Sequence, residues 1–256
     1  MTVRRHSLVF FFGVFAVLLV RGQGASEAPD AATLVREAFA YYRGRASEGT
    51  VRMTIHRPDW ERTVTLKGWT EGETRSLFVV VAPPKDQGNA TLKKGREMWT
   101  YNPKINRVIK LPPSMMSQSW LGSDFSNNDL AKSDTILEHY RHTLETVEEQ
   151  DGHTVYTIRS DARPRAPVVW GFLRLKIRED RIFLEEAFYD EEGVLVKTLT
   201  AHEIEELDGK LYPRIWKMRK AETPDAYTLV ENVELTWRDD LPDRLFTLAN
   251  LRTPLR

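Results

Sequence analysis

The feature that most limits what this chain can fold into is a change of hydrophobic period after Gly44. In TVRMTIH, Val51, Met53 and Ile55 alternate with Arg52, Thr54 and His56, and Val64 and Leu66 repeat the pattern in RTVTLKG. A period of two sends successive side chains to opposite faces of an extended strand. RSLFVVVAPP, MWTYNP, NRVIKLP, HTVYTIRS, FLRLKIRED, RIFLEEAFYD, VLVKTLTAHEIEEL, KLYPRIWKMRKA and TLVENVELTW continue in this style, separated by turn signals such as NPKIN, Glu191 to Gly193, and Asp208-Gly209. Most segments have one apolar and one charged face, as where Leu173, Leu175 and Ile177 alternate with Arg174, Lys176 and Arg178. That alternation belongs to antiparallel sheet with one face in water. Many such strands with few helices predict a large curved meander or barrel. Doubly wound α/β folds are excluded because the interleaved helical patterns they need are missing.

Ahead of the strands, Asp30 can cap a helix beginning near Ala31, with Leu34, Val35, Ala38, Phe39 and Tyr42 forming one apolar stripe. Further upstream, MTVRRHS is basic, Leu8 to Val20 is an unbroken apolar run, and RGQGASEAPDAA is small and polar. This is the order of an export signal, with cleavage expected near Gly24 or Ala25. The run is short for a membrane span, which needs about 20 residues, and an uncleaved anchor is the alternative. Residues 1–25 are therefore expected to be a signal and 26–256 a single domain in an exported, periplasmic protein. With no cysteine in 256 residues, stability must come from burial and not from cross-links. Lys+Arg and Asp+Glu balance at 37 each, so no basic face for nucleic acid is suggested.

One region breaks the strand pattern. From Pro112 to about residue 145 the chain runs through PPSMMSQSWLGSDFSNNDL into DTILEHYRHTLETVEE, which is readable as a helix with imperfect apolar spacing. Long irregular insertions in compact domains are usually binding loops or lids. If His139 and His142 lie on such a helix they share a face and could grip a metal, but no third ligand has suitable spacing. Asp124, Asp129, Asn127 and Asn128 resemble calcium ligands without the spacing of a calcium loop, and capping is the more economical role. Ser114, Ser117 and Ser119 lack the turn that presents a nucleophilic serine, and no phosphate-cradling glycine loop occurs. No cofactor or metal is indicated, and no catalytic residue is assigned.

Seven tryptophans, at 60, 69, 99, 120, 170, 216 and 237, are spread over the strand segments, with Met98, Met115, Met116 and Met218 beside them. An ordinary β core explains each one singly. Collectively they permit a lined hollow, because a large curved sheet encloses more volume than its own side chains easily fill, and aromatic and Met linings suit an oily ligand.

The pattern Trp99, Tyr101, Pro103, Arg107, Gly122, Ser123, Asp124, Phe125, Asp129, Leu130, with the ending LPDRLFTLANL, resembles the exported outer membrane lipoprotein-sorting protein family, which is LolA-like. The resemblance covers about Ala31 to Leu251. It implies a mainly β fold with a few helices: an open, incomplete antiparallel barrel of about eleven strands, its concave face covered by helices and a loop. It also implies a non-enzymatic periplasmic carrier of lipids or lipoproteins that buries acyl chains, serving an inner-membrane lipid exporter or an outer-membrane acceptor. A monomer is expected, and nucleic acid is not a partner. On that reading Trp99, Tyr101, Met115, Met116, Trp120, Leu121, Phe125 and Trp216 are the lining or lid residues, and Gly122, Ser123, Asp124 and Asp129 are structural. Arg107 stands on a strand near the mouth, where it meets a lipid headgroup or pairs with a surface acid. The loop is either a movable lid or a static plug. The alternative roles are a lipid-sensing interaction module of the RseB type and an exported hydrolase.

Overall fold

The computed structural model describes residues 29–131 and 135–252; the expected signal segment lies outside them. Helix α1 (Ala31–Arg43) is capped by Asp30, whose carboxylate accepts from the Thr33 N–H at 2.9 Å, and it buries the expected stripe of Leu34, Val35, Ala38 and Phe39. Strands β1 (Ala46–Arg57), β2 (Trp60–Glu71), β3 (Arg75–Ala82), β4 (Ala90–Lys94), β5 (Glu97–Asn102) and β6 (Arg107–Lys110) follow. Next come the short helices α2 (Asn127–Ala131) and α3 (Thr135–His139). Strands β7 (Tyr140–Gln150), β8 (His153–Ala162), β9 (Phe172–Arg178), β10 (Phe183–Tyr189), β11 (Leu195–Leu207), β12 (Lys210–Lys220) and β13 (Tyr227–Arg238) complete the sheet, and α4 (Leu248–Arg252) closes the described chain.

The strands form one antiparallel sheet in the order β6-β5-β4-β3-β2-β1-β13-β12-β11-β10-β9-β8-β7. This is the open, uncompleted barrel expected, with thirteen strands in place of about eleven. The additional two are β4, whose sequence ATLKK is too short and lysine-rich to stand out, and β7. Among its described residues, the stretch that reads as a helix is helical only for Thr135–His139. From Tyr140 it pairs with β8, and Tyr140, His142 and Leu144 turn inward between exposed neighbours. Thr143, Thr146 and Val147 are β-branched, which favours the strand. His139 and His142 therefore do not share a helix face; His142 Nδ1 lies 2.8 Å from Ser160 Oγ. Among the described residues no three His, Cys, Asp or Glu side chains gather as a metal site. No described helix is long and apolar enough to cross a membrane.

The strand order has one large consequence. The two halves of the meander join at β1 and β13, in register from Ala46↔Arg238 to His56↔Tyr227 apart from a shift after Thr50. That junction leaves β6 and β7, consecutive in sequence, as the opposite free edges of the sheet. The chain between them must travel from one edge to the other, and it crosses the concave face. Apolar residues in the irregular stretch 111–139 are thus required by topology: a segment crossing a greasy hollow must present grease to it.

Both faces of β3 are buried. Leu77 and Val79 join Ala90, Leu92, Leu241, Leu245, Phe246 and Leu251 in one cluster, whereas Phe78 and Val80 join Met53, Ile55, Val64, Leu66 and Trp120 in another. A third and larger cluster sets α1 and Ile136 against β8, β9, β10 and β12.

Candidate functional site

The crossing segment is fixed at defined points. After the left-handed pair Leu121 (φ +52°) and Gly122 (φ +78°) the chain reverses; Gly122 adopts this conformation freely while Leu121 bears strain that glycine avoids. Ser123 Oγ donates to the Trp120 carbonyl at 2.7 Å, and Arg62 Nη1 donates to the Leu121 carbonyl at 3.2 Å. Asp124 does not take the helix-capping role that its sequence context suggests; it fastens the loop to the sheet. Its carboxylate accepts from Arg57 Nη2 and Nη1 at 3.0 and 3.1 Å and from Thr228 Oγ1 at 2.7 Å, while its N–H donates to Thr228 Oγ1. Arg57 and Thr228 lie at neighbouring ends of β1 and β13, so one buried carboxylate ties the loop to the central seam. The cap of α2 is Ser126, which exchanges hydrogen bonds with Asp129 as in a capping box.

Beneath this roof lies a cavity of about 330 Å³, at the small end of the range for ligand pockets. Trp120, Phe125 and Leu130 form its ceiling, Phe39 and Tyr42 of α1 close one side, and the floor includes Met53, Leu66, Phe78, Phe183, Phe188, Leu199, Trp216 and Met218. Trp120 is held edge-on to Phe78, ring centroids 5.7 Å apart, and its Nε1–H donates to Thr91 Oγ1 at 3.0 Å. Gly68 keeps the floor open, since a Cβ there would sit 2.9 Å from the Phe78 ring.

Of the lining residues expected from sequence, the structure gathers Trp120, Phe125 and Trp216 around the cavity, with Asp129 at its rim. Trp99 and Tyr101 are elsewhere. They pair with Leu92 and Ala90, and that face of the sheet is covered by the C-terminal segment. Met115 and Met116 pack on Met98, Leu111 and Ala131 beyond the cavity, and Leu121 packs against the cluster around Met53 without lining the hollow. Arg107 stands exposed on the free edge strand β6, away from the cavity.

Sequence reasoning named Asp129 but missed the other charges at the cavity: Glu186 and Arg43 line it, and Lys197 stands behind Asp129. Lys197 is buried on β11, its Nζ 2.5 Å from Asp129 Oδ2 and about 5 Å from the ring centres of Trp170 and Phe188. Glu186 of β10 lies diagonally across from it, Glu186 facing Leu199 and Phe188 facing Lys197 in the ladder. Enclosure pushes the Glu186 carboxyl up to about 7, with the charge of Asp129 adding to the rise and Lys197 and Arg43 opposing it. Glu186 keeps some accessible surface although protein surrounds it, because that surface faces the hollow. Among the described residues no hydrogen bond reaches its carboxyl. The Asn128 Oδ1 and Trp216 Nε1 atoms are also buried without a hydrogen-bond partner, and both residues line the cavity. At the α1 side Tyr42 and Tyr212 stack at 5.5 Å, and burial raises the pKa of both phenols, Tyr212 most. A detectable signal was present for the ionic groups: Glu186 is two residues from Phe188, and Lys197 two from Leu199, so each charge sits on the apolar face of its strand.

A family model described as "Uncharacterized protein" matches residues 72–253. No curated protein matches the sequence. Among solved structures, a DUF1329 family protein from Desulfovibrio piger is similar at 22% identity and a TM-score of 0.78, over 86% of this chain and 97% of that one. A domain from Vibrio parahaemolyticus described as an outer membrane lipoprotein-sorting protein is 21% identical over 87% of this chain and 98% of its own, with a TM-score of 0.76. A LolA superfamily protein from Nitrosomonas europaea is 23% identical, with a TM-score of 0.72, over 87% of this chain and 99% of that one. At these identities the likeness is one of fold: an open, LolA-like antiparallel sheet.

Proposed function

This chain belongs to the family matched over residues 72–253, and from its cavity we propose that it is a non-enzymatic carrier of lipids or lipidated proteins. One observation carries the reading: an apolar hollow of about 330 Å³ remains between the sheet and its own roof, lined by aromatic and aliphatic side chains that the chain itself leaves uncovered. Each buried CH₂ of a ligand contributes about 0.8 kcal/mol, so about ten methylenes offer about 8 kcal/mol before the costs of ordering are subtracted. That suffices for reversible carriage, with release to a receiver that competes for the chain.

The similarity in fold to a protein described as lipoprotein-sorting supports the cargo class. An apolar segment at Leu8 to Val20, preceded by arginines, supports export to the periplasm, where the carrier would load from an inner-membrane exporter or deliver to an outer-membrane acceptor. Residues 26–256 act as one domain in this reading, and the segment 112–131 forms the roof through which cargo passes. The test is extraction of the purified protein with organic solvent and mass spectrometry of the extract, together with uptake of a neutral fluorescent hydrocarbon probe. Co-purified lipid and saturable uptake are expected, and Phe125→Asp, which places a charge in the ceiling, should abolish uptake while the far-ultraviolet circular dichroism stays unchanged. An extract free of lipid together with no uptake by the wild-type protein ends the proposal.

A further inference from the structure

An oily hollow needs no polar atoms, yet this one holds three without a hydrogen-bond partner among the described residues. Glu186 presents a carboxyl to the cavity with no hydrogen bond among the described residues, Asn128 Oδ1 is a buried acceptor without a donor, and Trp216 Nε1–H is a buried donor without an acceptor. Trp216 is 4% exposed, so its unmet N–H is not served by bulk water. Buried polar groups are ordinarily paired, and each exception calls for an explanation. A ligand that brings the missing partners supplies one.

The charges around the hollow indicate what the ligand's polar end must be. Asp129 and Lys197 already satisfy each other at 2.5 Å, and the Lys197 ammonium is further covered by the Trp170 and Phe188 rings. It is therefore not presented to the cavity as a receptor for an anion. Glu186, beside the carboxylate of Asp129, adds acid to the same end, and Arg43 of α1, the lining cation among the described residues, already acts on Glu186. An incoming carboxylate or phosphate would have to compete with Glu186 for Arg43, and would otherwise meet acceptors and the charge of Asp129. A hydroxyl or ammonium group would meet the acceptors it needs, and a hydroxyl oxygen can also accept from Trp216.

We infer that the cavity is built for an amphiphile whose polar end donates hydrogen bonds, an alcohol or an amine, with Glu186 and Asn128 as its acceptors, and that it discriminates against anionic lipids of equal chain length. This rests on the carrier reading and narrows it. The raised Glu186 carboxyl fits a site with cations nearby but no hydrogen-bond donor: enclosure without a donor disfavours the charged form, and a bound donor restores it.

The experiment uses the full chain, freed of lipid, at pH 8. Dodecanol, dodecylamine and laurate each compete for the neutral fluorescent probe. An unpaired buried acceptor or a like-charge contact corresponds to about tenfold or more in affinity, so dodecanol and dodecylamine should displace the probe at about one tenth of the laurate concentration. Glu186→Gln, which keeps shape and removes charge, should cut the advantage of dodecylamine and improve laurate while dodecanol changes least. Equal displacement by all three in the wild-type protein, or tighter binding of laurate, overturns the inference and leaves the carrier reading intact, because a chain has still bound. Failure of the probe and of all three competitors removes both. The wild-type comparison does not depend on any variant folding.

Discussion

Strands β3 to β5 have two faces of similar chemistry and different fates. On one, Leu77, Val79, Ala90, Leu92, Trp99 and Tyr101 meet Leu241, Leu245, Phe246 and Leu251, so the chain's own C-terminal segment fills the space. Phe246 there is 1% exposed and also receives the Arg75 guanidinium over its ring. On the other, Phe78 and Thr91 meet Trp120 of the crossing segment, and beyond this contact the interior stays hollow as far as Trp216. The first face is closed by a segment that, among the described residues, is joined to the sheet only after β13. The second is closed by a segment tethered to the two far edges of the sheet, and a tethered roof spans the gap without sinking to fill it.

This comparison makes the largest expected effect a mutation on the filled face that binding should not register. Phe246→Ala removes a fully buried ring from a close-packed cluster, and such truncations cost about 3 to 5 kcal/mol. Urea unfolding should show that loss in the midpoint with an unchanged slope, and probe uptake per folded molecule should equal that of the wild type. If uptake falls in proportion to stability, the two faces are not independent and the comparison fails.

The next effect tests the tether. Asp124 is 4% exposed and is the partner of Arg57 and Thr228. Asp124→Ala should destabilise by about 3 kcal/mol, the low end for a broken buried pair because Arg57 keeps some contact with water. Unlike Phe246→Ala it should also alter uptake, since the roof loses its tie to the β1–β13 seam, and a stopped-flow measurement should show faster probe entry and exit. A stability loss with unaltered rates would mean that the roof is held by its apolar contacts alone.

Much of this architecture is legible in the sequence, and what escapes does so for a physical reason. The period of two after Gly44 identifies eleven of the thirteen strands, and Asp30 with its apolar stripe identifies α1. Alternation shows that a strand has two faces but not which face looks at the hollow. Trp99 and Tyr101 read as cavity residues for that reason, yet their side of the sheet is decided by where residues 241–251 come to rest. Glu186 and Lys197 escape notice because a charge on a strand ordinarily marks the water side, and the compensation between Lys197 and Asp129 joins residues 68 positions apart. The roof is recognisable as irregular and apolar. Its cause, the separation of β6 and β7 to opposite edges, is a property of strand order that local pattern does not carry.

A smaller effect concerns the charge inside the hollow. The Glu186 carboxyl is raised from 4.5 to about 7, by enclosure first and then by Asp129 of α2, against Lys197 of β11 and Arg43 of α1. Between those pH values the empty folded protein retains a proton that the unfolded chain has released. Stability therefore falls as pH rises through this window, and the cost is fully present above about 7. A tenfold change in proton affinity is worth about 1.4 kcal/mol, so Glu186→Gln should stabilise the lipid-free protein by about 1 to 3 kcal/mol at pH 8 and by almost nothing at pH 4. Thermal unfolding of both proteins across this range checks it. A constant difference at all pH values would show that Glu186 acts through packing and not through its charge.

The smallest effect is expected at Arg107, and its smallness is informative. The residue belongs to the motif by which the chain resembles lipoprotein-sorting proteins, so a role at the mouth is the natural expectation. It lies on β6, a free edge, exposed and remote from the lining of the hollow. Edge strands commonly carry charge because an uncharged row of unpaired backbone groups invites pairing with another chain, and Lys110 on the same strand and Glu145, Glu148 and Glu149 on the opposite edge fit that pattern. Arg107→Ala should change stability by less than about 0.5 kcal/mol and leave probe uptake unchanged. The same variant should be more prone to self-association at high concentration, measured by light scattering. Reduced uptake with no change in association would return Arg107 to the mouth and require cargo to enter past β6, between the filled face and the hollow one.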